Sequence, residues 1–193
     1  TNVNHLLNKV DGLALVGNHN KSSIVAITET WLSSDVPDCA CAISGYNLWR
    51  KDRATGPGGG VAIYVDSDYC TRRVSELEVD DLEVLWVTIR PKLLPRPLSI
   101  LVVAVIYCPP WYNAECKNRL NKYIISCLDR MLIKYPDAAI YVMGDFNMLD
   151  CSAFTRSMRF SQVVKTATRG GNILDKFFTN CPQYYESAVI LPP

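Results

Sequence analysis

The chain has 193 residues, 49% hydrophobic and 20% charged, which fits one globular domain able to bury a core on both faces of a sheet. Twenty basic and nineteen acidic side chains give a formal net charge of +1, which excludes a strongly basic nucleic-acid-binding domain. Any contact with DNA must then come from a local patch. The longest apolar run, Leu98 to Tyr107, is about half the length of a membrane helix, so no membrane association is expected.

The eight cysteines are expected to be reduced. A domain this apolar does not need disulfide cross-links, and Cys108, Cys116 and Cys127 lie in segments with the pattern of core. Cys39 and Cys41 form a Cys-x-Cys pair, but no second pair stands at zinc-finger spacing, so no zinc is expected. Reduced cysteines indicate an intracellular protein.

The amino-terminal part predicts one helix followed by three strands. Apolar residues at helical spacing predict an amphipathic helix over 5–18. Apolar and β-branched residues predict strands over 23–28, 46–50 and 61–65. Three consecutive glycines, Gly58 to Gly60, precede the third strand and indicate a tight turn or a close backbone approach.

The rest of the chain predicts a long helix among buried strands. Alternating and then continuous apolar residues predict strands over 82–90 and 98–107. Residues 113–135 carry one apolar helix face, with Asn113 as cap and Pro136 as stop. Further strands are predicted over 138–143, 173–179 and 187–191. Many strands and few helices indicate an α/β or α+β sandwich rather than a repeating βαβ fold.

Polar side chains stand where three of these apolar strands end. Glu29 follows the first strand, Tyr107 ends the strand over 98–107, and Asp145 and Asn147 follow the next strand. A strand end holds a side chain rigidly while leaving it open to substrate. The pattern therefore predicts one shared site.

The residue types at these positions favour phosphodiester hydrolysis. Oxygen ligands without a histidine or cysteine partner suit a hard cation such as Mg²⁺, with Mn²⁺ as a substitute. Glu29 fits a metal ligand, and Asp145 fits the carboxylate that orients or deprotonates water, with Asn147 and Tyr107 as neutral donors to phosphate. Taken singly, these residues also fit a capping carboxylate, a turn and a core tyrosine.

A series of short motifs runs through nearly the whole chain. They are Thr28-Glu29-Thr30-Trp31-Leu32, Gly45-Tyr46-Asn47, Arg50-Lys51-Asp52-Arg53, Gly58-Gly59-Gly60-Val61-Ala62-Ile63-Tyr64, Tyr107-Cys108-Pro109-Pro110, Gly144-Asp145-Phe146-Asn147, Thr168-Arg169 and Ile173-Leu174-Asp175. Their order resembles that in endonucleases of LINE-type (non-LTR) retrotransposons, members of the endonuclease/exonuclease/phosphatase superfamily. The resemblance implies a DNase-like α/β (α+β) fold, a four-layered sandwich of two mixed β-sheets flanked by helices.

The resemblance also implies an activity and its setting. These enzymes nick target DNA with Mg²⁺ and leave a 3′ hydroxyl that primes reverse transcription. A reverse transcriptase domain is accordingly expected downstream in the parent polyprotein, and the nucleus is the expected place of action.

Roles carry over by motif. Glu29 resembles the family's metal-binding glutamate, and Asn2 resembles its early active-site asparagine. Tyr107 is similar to the phosphate-contacting tyrosine. Asp145 is similar to the aspartate that orients or activates the nucleophile, and Asn147 to the asparagine beside it.

Other residues resemble the family's substrate contacts. Thr168 and Asp175 are similar to the later pair that shapes the site and touches substrate. Apart from the resemblance, local phosphate contacts can come from four basic residues, Arg50, Lys51, Arg53 and Arg169, which can also simply be solvated surface charges.

The resemblance stops short of the family's Ser-Asp-His motif. The two histidines, His5 and His19, lie near the start, match no catalytic position and are given no role. We therefore expect residues 1–193 to be one domain that is incomplete after Pro193 and before Asn2. A catalytically dead or domesticated fragment that keeps the fold is the alternative, and a superfamily phosphatase or lipid phosphodiesterase is disfavoured by the retroelement-like motifs.

Overall fold

Two β-sheets packed face to face form the centre of the fold in the computed structural model, which describes residues 1–186 and 188–189. The first sheet has three antiparallel strands in the order β1-β3-β2. Its strands are β1 (Ile24–Thr28), β2 (Tyr46–Lys51) and β3 (Val61–Asp66). All three were predicted, because runs of apolar and β-branched residues favour strands.

The second sheet has six strands in the order β4-β5-β6-β7-β9-β8. They are β4 (Cys70–Arg73), β5 (Val84–Arg90), β6 (Ile100–Tyr107), β7 (Ala138–Asp145), β8 (Ser161–Gln162) and β9 (Asp175–Thr179). Strands β6 and β7 are parallel and the other neighbours are antiparallel, so this sheet is mixed. A parallel pair needs a long crossover, which the second helix supplies.

Helices cover both outer faces. Helix α1 (Val10–His19) packs on the three-stranded sheet, whereas α2 (Ala114–Lys134) and α3 (Ser152–Ser157) pack on the six-stranded sheet. The four layers of a DNase-like sandwich are therefore confirmed.

The core between the sheets consists of alternate strand residues. One side chain in two from β3 and β5 points into this core: Val61, Ile63, Val65, Leu85, Val87 and Ile89. The residues between them on β5, Val84 and Trp86, face α2 instead, as the alternation predicted. Burying each such side chain contributes about 1.5–3 kcal/mol, so the alternation fixes which face of the strand meets which layer.

Helix α2 has the ends that its sequence predicted. The side-chain oxygen of Asn113 accepts a hydrogen bond from the amide of Cys116 at 2.9 Å, and the helix stops at Lys134, two residues before Pro136. Its buried face carries Leu120, Ile124, Cys127, Leu128 and Met131. Cys116, expected in the core, is only half-buried.

The first predicted helix is divided. A 3-10 turn covers Leu6–Asn8, and α1 begins only at Val10, because His5 (φ 80°) and Lys9 lie outside helical geometry. Leu7 and Val16, expected on the apolar face, are each 45% exposed. The sequence pattern had not predicted β4, an edge strand with alternating polar residues, or the short α3 and β8.

The strand predicted over 187–191 includes residues outside the described part of the chain, and Ala188 and Val189 belong to no strand. Among the described residues, no helix is both long and apolar enough to cross a membrane. All eight cysteines are free thiols.

Candidate active site

The predicted site residues meet at one end of the two sheets. Tyr107, the last residue of β6, pairs in register with Asp145, the last residue of β7. Asp145 also pairs with Asp175, the first residue of β9. A parallel bridge joins Asn2 to Thr28, the residue before Glu29. Strand pairing therefore places carboxylates distant in sequence along one sheet edge.

Asp145 is fully buried, and both of its oxygens accept hydrogen bonds. Its Oδ2 accepts from Asn2 Nδ2 at 3.0 Å and from Arg169 Nη2 at 3.2 Å. Its Oδ1 accepts from the amide of Asn147 at 2.9 Å. Donors from three parts of the chain thus give the carboxylate a single orientation.

A glycine lets β7 reach this position. Gly144 has φ +140°, and a Cβ on it would lie 2.0 Å from the carbonyl oxygen of Ile106 on the neighbouring strand. Asn147 then reverses the chain at φ 44°, and its Nδ2 donates to the carbonyl of Cys108 at 2.8 Å. A non-glycine residue in this region is strained unless its surroundings hold it, and such strain concentrates at functional sites.

Glu29 is held by a second chain reversal. It is half-buried with φ 58°, and its Oε2 accepts from Trp31 Nε1 at 2.7 Å and from the amide of Gly59 at 2.9 Å. Trp31 also has a left-handed backbone, φ 55°, and its amide donates to the carbonyl of Gly59. The turn of three glycines therefore holds the Glu29 carboxylate through the Gly59 amide and holds Trp31 through the Gly59 carbonyl.

Glu83, which the sequence analysis missed, anchors that turn. Its buried carboxylate accepts from the amide of Gly60 through Oε2, and Oε1 accepts from Arg53 Nη2 at 2.7 Å and Nε at 3.1 Å. A Cβ on Gly59 would lie 2.3 Å from Glu83 Oε2 and 2.4 Å from the Arg53 guanidinium, so glycine is required there. The available signal was a charged residue directly before the apolar run of β5.

Tyr107 remains a neutral hydrogen-bond donor. Burial raises the pKa of its hydroxyl well above the usual range, and the negative charge of the nearby Glu29 carboxylate raises it further. Only 3% of Tyr107 is exposed, and the Arg53 guanidinium carbon lies 5.8 Å from its ring centroid. The hydroxyl can therefore offer a proton to an anionic ligand without adding negative charge.

Three further predicted residues, Thr168, Arg169 and Asp175, lie on the same side of the site as Asp145. Thr168 Oγ1 accepts from the amides of Leu174 at 3.0 Å and Asp175 at 3.1 Å, which shapes the turn before β9. Arg169 Nη2 lies 4.0 Å from Asp175 Oδ2 and contacts Asp145, yet half of the Arg169 side chain stays exposed. Arg169 can therefore meet an anion at the mouth of the site.

The carboxylates suit a cation bound partly through water. Asp175 Oδ1 is buried with no hydrogen-bond partner among the described residues, a position that a cation or its water can satisfy. Within the same residues, no three histidine, cysteine or acidic side chains are grouped to enclose a metal. Mg²⁺ usually takes a site of one or two carboxylates completed by water, and Glu29 and Asp175 are the residues that fit it.

The two histidines occupy different parts of the fold. His19 ends α1, whereas the exposed His5 ring lies 4.2 Å from the Trp31 ring, beside Glu29. His5 also donates its amide to the carbonyl of Glu29. Sequence reasoning placed His5 in a helix and gave no sign of this proximity, because backbone pairing between residues 1–6 and 26–30 brings the segment to the site.

Comparison with known structures identifies the fold. The endonuclease domain of the telomere-specific non-LTR retrotransposon TRAS1 matches with TM-score 0.64 and 16% identity, over 92% of this chain and 81% of that chain. The human Nocturnin catalytic domain matches with TM-score 0.66 and 12% identity, over 93% of this chain and 79% of that chain. A 3′-5′ exonuclease from Neisseria meningitidis matches with TM-score 0.59 and 16% identity, over 92% and 84% of the respective chains.

No protein-family model and no curated protein sequence matches this chain. At these identities the structural likeness establishes the fold alone. The chain has the four-layered DNase-like fold of these structures, as its motif order predicted.

Proposed function

We propose that this chain is a metal-dependent DNA endonuclease domain of a LINE-type retrotransposon protein, which nicks target DNA and leaves a 3′ hydroxyl for reverse transcription. One observation carries the proposal. A buried, fully hydrogen-bonded Asp145 lies at the same sheet edge as Tyr107 and Asp175 and is tied through Asn2 to the end of β1 that carries Glu29. The TRAS1 endonuclease domain shares this fold.

Asp145 orients and deprotonates the attacking water in this proposal. Its carboxylate has one orientation, because Asn2, Asn147 and Arg169 hold both oxygens. A base fixed in this way needs no reorganisation as the water attacks. General-base catalysis of this type contributes about 10²–10⁴ to a rate.

Neutral and cationic groups bind the phosphate. The Tyr107 hydroxyl stays protonated and donates to one phosphate oxygen. Asn147 gives one amide hydrogen to Cys108 and keeps its second for substrate. The exposed part of Arg169 adds positive charge at the mouth, while Thr168 holds the turn that carries Arg169.

Mg²⁺, or Mn²⁺ in its place, would be held by Glu29 with help from Asp175. Bound there, it would offset the charge that develops on the phosphate and leaving oxygen. Two donors, Trp31 Nε1 and the Gly59 amide, fix the Glu29 carboxylate. The uncompensated Asp175 Oδ1 supports a second, water-mediated contact.

Nicking of supercoiled plasmid tests the proposal. We expect Mg²⁺-dependent conversion to open circles that EDTA stops, with ends that a DNA polymerase can extend without phosphatase treatment. Asp145→Asn should slow nicking about 10²–10⁴-fold, whereas Asp129→Asn, on an exposed position of α2, should not. The parent protein is assayed beside residues 1–193. Failure of the parent protein to nick in either metal contradicts the proposal.

A domain that binds DNA without cutting is the second candidate. The observation that favours it is the position of the histidines: within the described residues neither His5 nor His19 contacts Asp145, and His5 packs on Trp31 instead. DNA binding by the parent protein, without nicking in Mg²⁺ or Mn²⁺, would support this candidate. In either case we propose action in the nucleus, together with a downstream reverse transcriptase.

A further inference from the structure

Trp111 is an exposed aromatic residue next to the proposed active site. It follows the turn that leaves β6 at Tyr107, and 66% of it is exposed. The other tryptophans of the sheets are used internally: Trp86 is buried and donates to Tyr123, and Trp49 donates to Thr71 at 3.0 Å. Trp111 therefore stands out as a large ring that the fold itself does not use.

Trp31 is also partly exposed, but its contacts are filled. Its Nε1 donates to Glu29, the His5 ring packs on it at 4.2 Å, and a Cβ on Gly58 would lie 3.2 Å from it. Its role is to position Glu29. Trp111 thus differs from Trp31 in offering an open surface.

A fixed cation supports the Trp111 ring. The Arg53 guanidinium carbon lies 5.1 Å from the Trp111 ring centroid and 5.8 Å from that of Tyr107. Arg53 cannot swing away, since Glu83 holds it through two nitrogens and its side chain is only 13% exposed. The ring is therefore linked through Arg53 to the tyrosine that is proposed to contact phosphate.

We propose that Trp111 is a stacking platform for an unpaired nucleobase close to the phosphate that is cut, an inference that rests on the proposed endonuclease function. An open aromatic face stacks on any base, because every base has a π-face. A single ring is too small for a protein interface, which needs about 800 Å² per partner. A paired base is already stacked on both sides, so Trp111 selects DNA whose bases are unpaired or splayed near the nick.

The proposal is tested by DNA binding in EDTA, where no cleavage interferes. The probe is a fluorescent duplex with three unpaired nucleotides, compared with the same duplex fully paired. Trp111→Ala should raise the Kd for the unpaired probe about 5- to 150-fold, the fold-change equivalent to about 1–3 kcal/mol of stacking, and leave that for the paired probe within about twofold. Trp111→Phe should restore most of the affinity.

Leu93→Ala is the matched control, because Leu93 is 90% exposed beyond the opposite end of β5 and should not alter either Kd. An equal loss on both probes, or no loss on the unpaired one, overturns the stacking proposal. The two proposals can fail separately. If Trp111→Ala weakens binding of the unpaired probe alone but the protein never nicks DNA, the stacking proposal stands and the endonuclease proposal fails. If the protein nicks DNA but Trp111→Ala causes no selective loss of binding, the stacking proposal fails and the endonuclease proposal stands.

Discussion

The two carboxylates of the candidate site, Glu29 and Asp145, are held in different ways. The Glu29 side, defined as Glu29, Trp31, the turn Gly58–Gly60, Glu83 and Arg53, relies on main-chain amides that only glycines bring close enough. The Asp145 side, defined as Asp145, Asn2, Asn147 and Arg169, relies mostly on side chains of separate segments. The Glu29 side therefore depends on the backbone conformation of the glycine turn, and the Asp145 side depends on which side chains donate to the carboxylate. Substitutions on the Glu29 side should therefore lower stability more, and substitutions on the Asp145 side should lower nicking activity more than stability.

Glu83→Gln should have the largest effect on stability. It leaves the Arg53 charge, 13% exposed, without its partner, which commonly costs about 3–5 kcal/mol when a buried ion pair is broken. Urea denaturation measures the change in the free energy of unfolding. Glu76→Gln is the control, since the Glu76–Lys134 pair is exposed and is worth at most about 1 kcal/mol. Equal losses in the two variants would contradict the anchoring role of Glu83.

Gly59→Ala should have the next largest effect on stability. A side chain at φ +69° costs about 1–2 kcal/mol, and its Cβ would displace Glu83 and Arg53. Because the Gly59 amide also holds Glu29, nicking should fall more than the lost stability explains. Gly56→Ala provides the comparison, with φ +80° but no atom within 4 Å of the added Cβ. If both variants lose stability and activity equally, close packing at the turn is not the cause.

Asn2→Ala tests the Asp145 side. It removes one donor from a buried carboxylate, and hydrogen bonds to charged groups contribute about 1.5–3 kcal/mol. We expect nicking to fall about tenfold or more, mainly in kcat, because the base loses its orientation. Asn118→Ala on the exposed surface of α2 should change neither kcat nor stability. If Asn2→Ala lowers only the free energy of unfolding and leaves kcat unchanged, Asn2 stabilises the fold and does not orient the Asp145 carboxylate for catalysis.

Arg169→Gln should be the mildest change. Asn2 and the Asn147 amide still donate to Asp145 in this variant, and the half-exposed Arg169 side chain mainly attracts substrate. The salt dependence of log Kd for DNA should therefore weaken by about one unit of slope. Titration of DNA binding against salt concentration measures it. Arg156→Gln on α3 serves as control and should leave the slope unchanged. A collapse of folding in Arg169→Gln would show that the Asp145 side also depends on this ion pair for stability.

Local pattern predicted much of this architecture. The alternation in β5, the continuous apolar run of β6 and the capped helix α2 were all found within two residues of their expected bounds. The missed strands, β4 and β8, are short and carry polar residues, which hydrophobic periodicity cannot detect. The first helix was drawn too long because apolar spacing does not reveal the left-handed backbone at His5.

The residues of the candidate site were likewise predicted only in part. Glu29, Tyr107 and Asp145 were predicted because each ends an apolar strand, a signal that local sequence carries. Glu83 and Trp111 were not predicted, since their significance lies in contacts with Arg53, 30 residues away in sequence in the case of Glu83. Which hydrogen-bond donors reach a carboxylate is set by strand pairing and not by the residues next to it.

The sequence by itself determined which strands are buried, where they end and which oxygen-bearing side chains stand at those ends. Burial of apolar side chains has a short period along the chain, so this information is local. Only the tertiary structure decided that Asn2 and Arg169 orient Asp145, that Glu83 locks the glycine turn beneath Glu29, and that Arg53 supports an open Trp111. Hydrogen bonds and stacking act over a few ångströms, so only folding creates such contacts between distant parts of the chain.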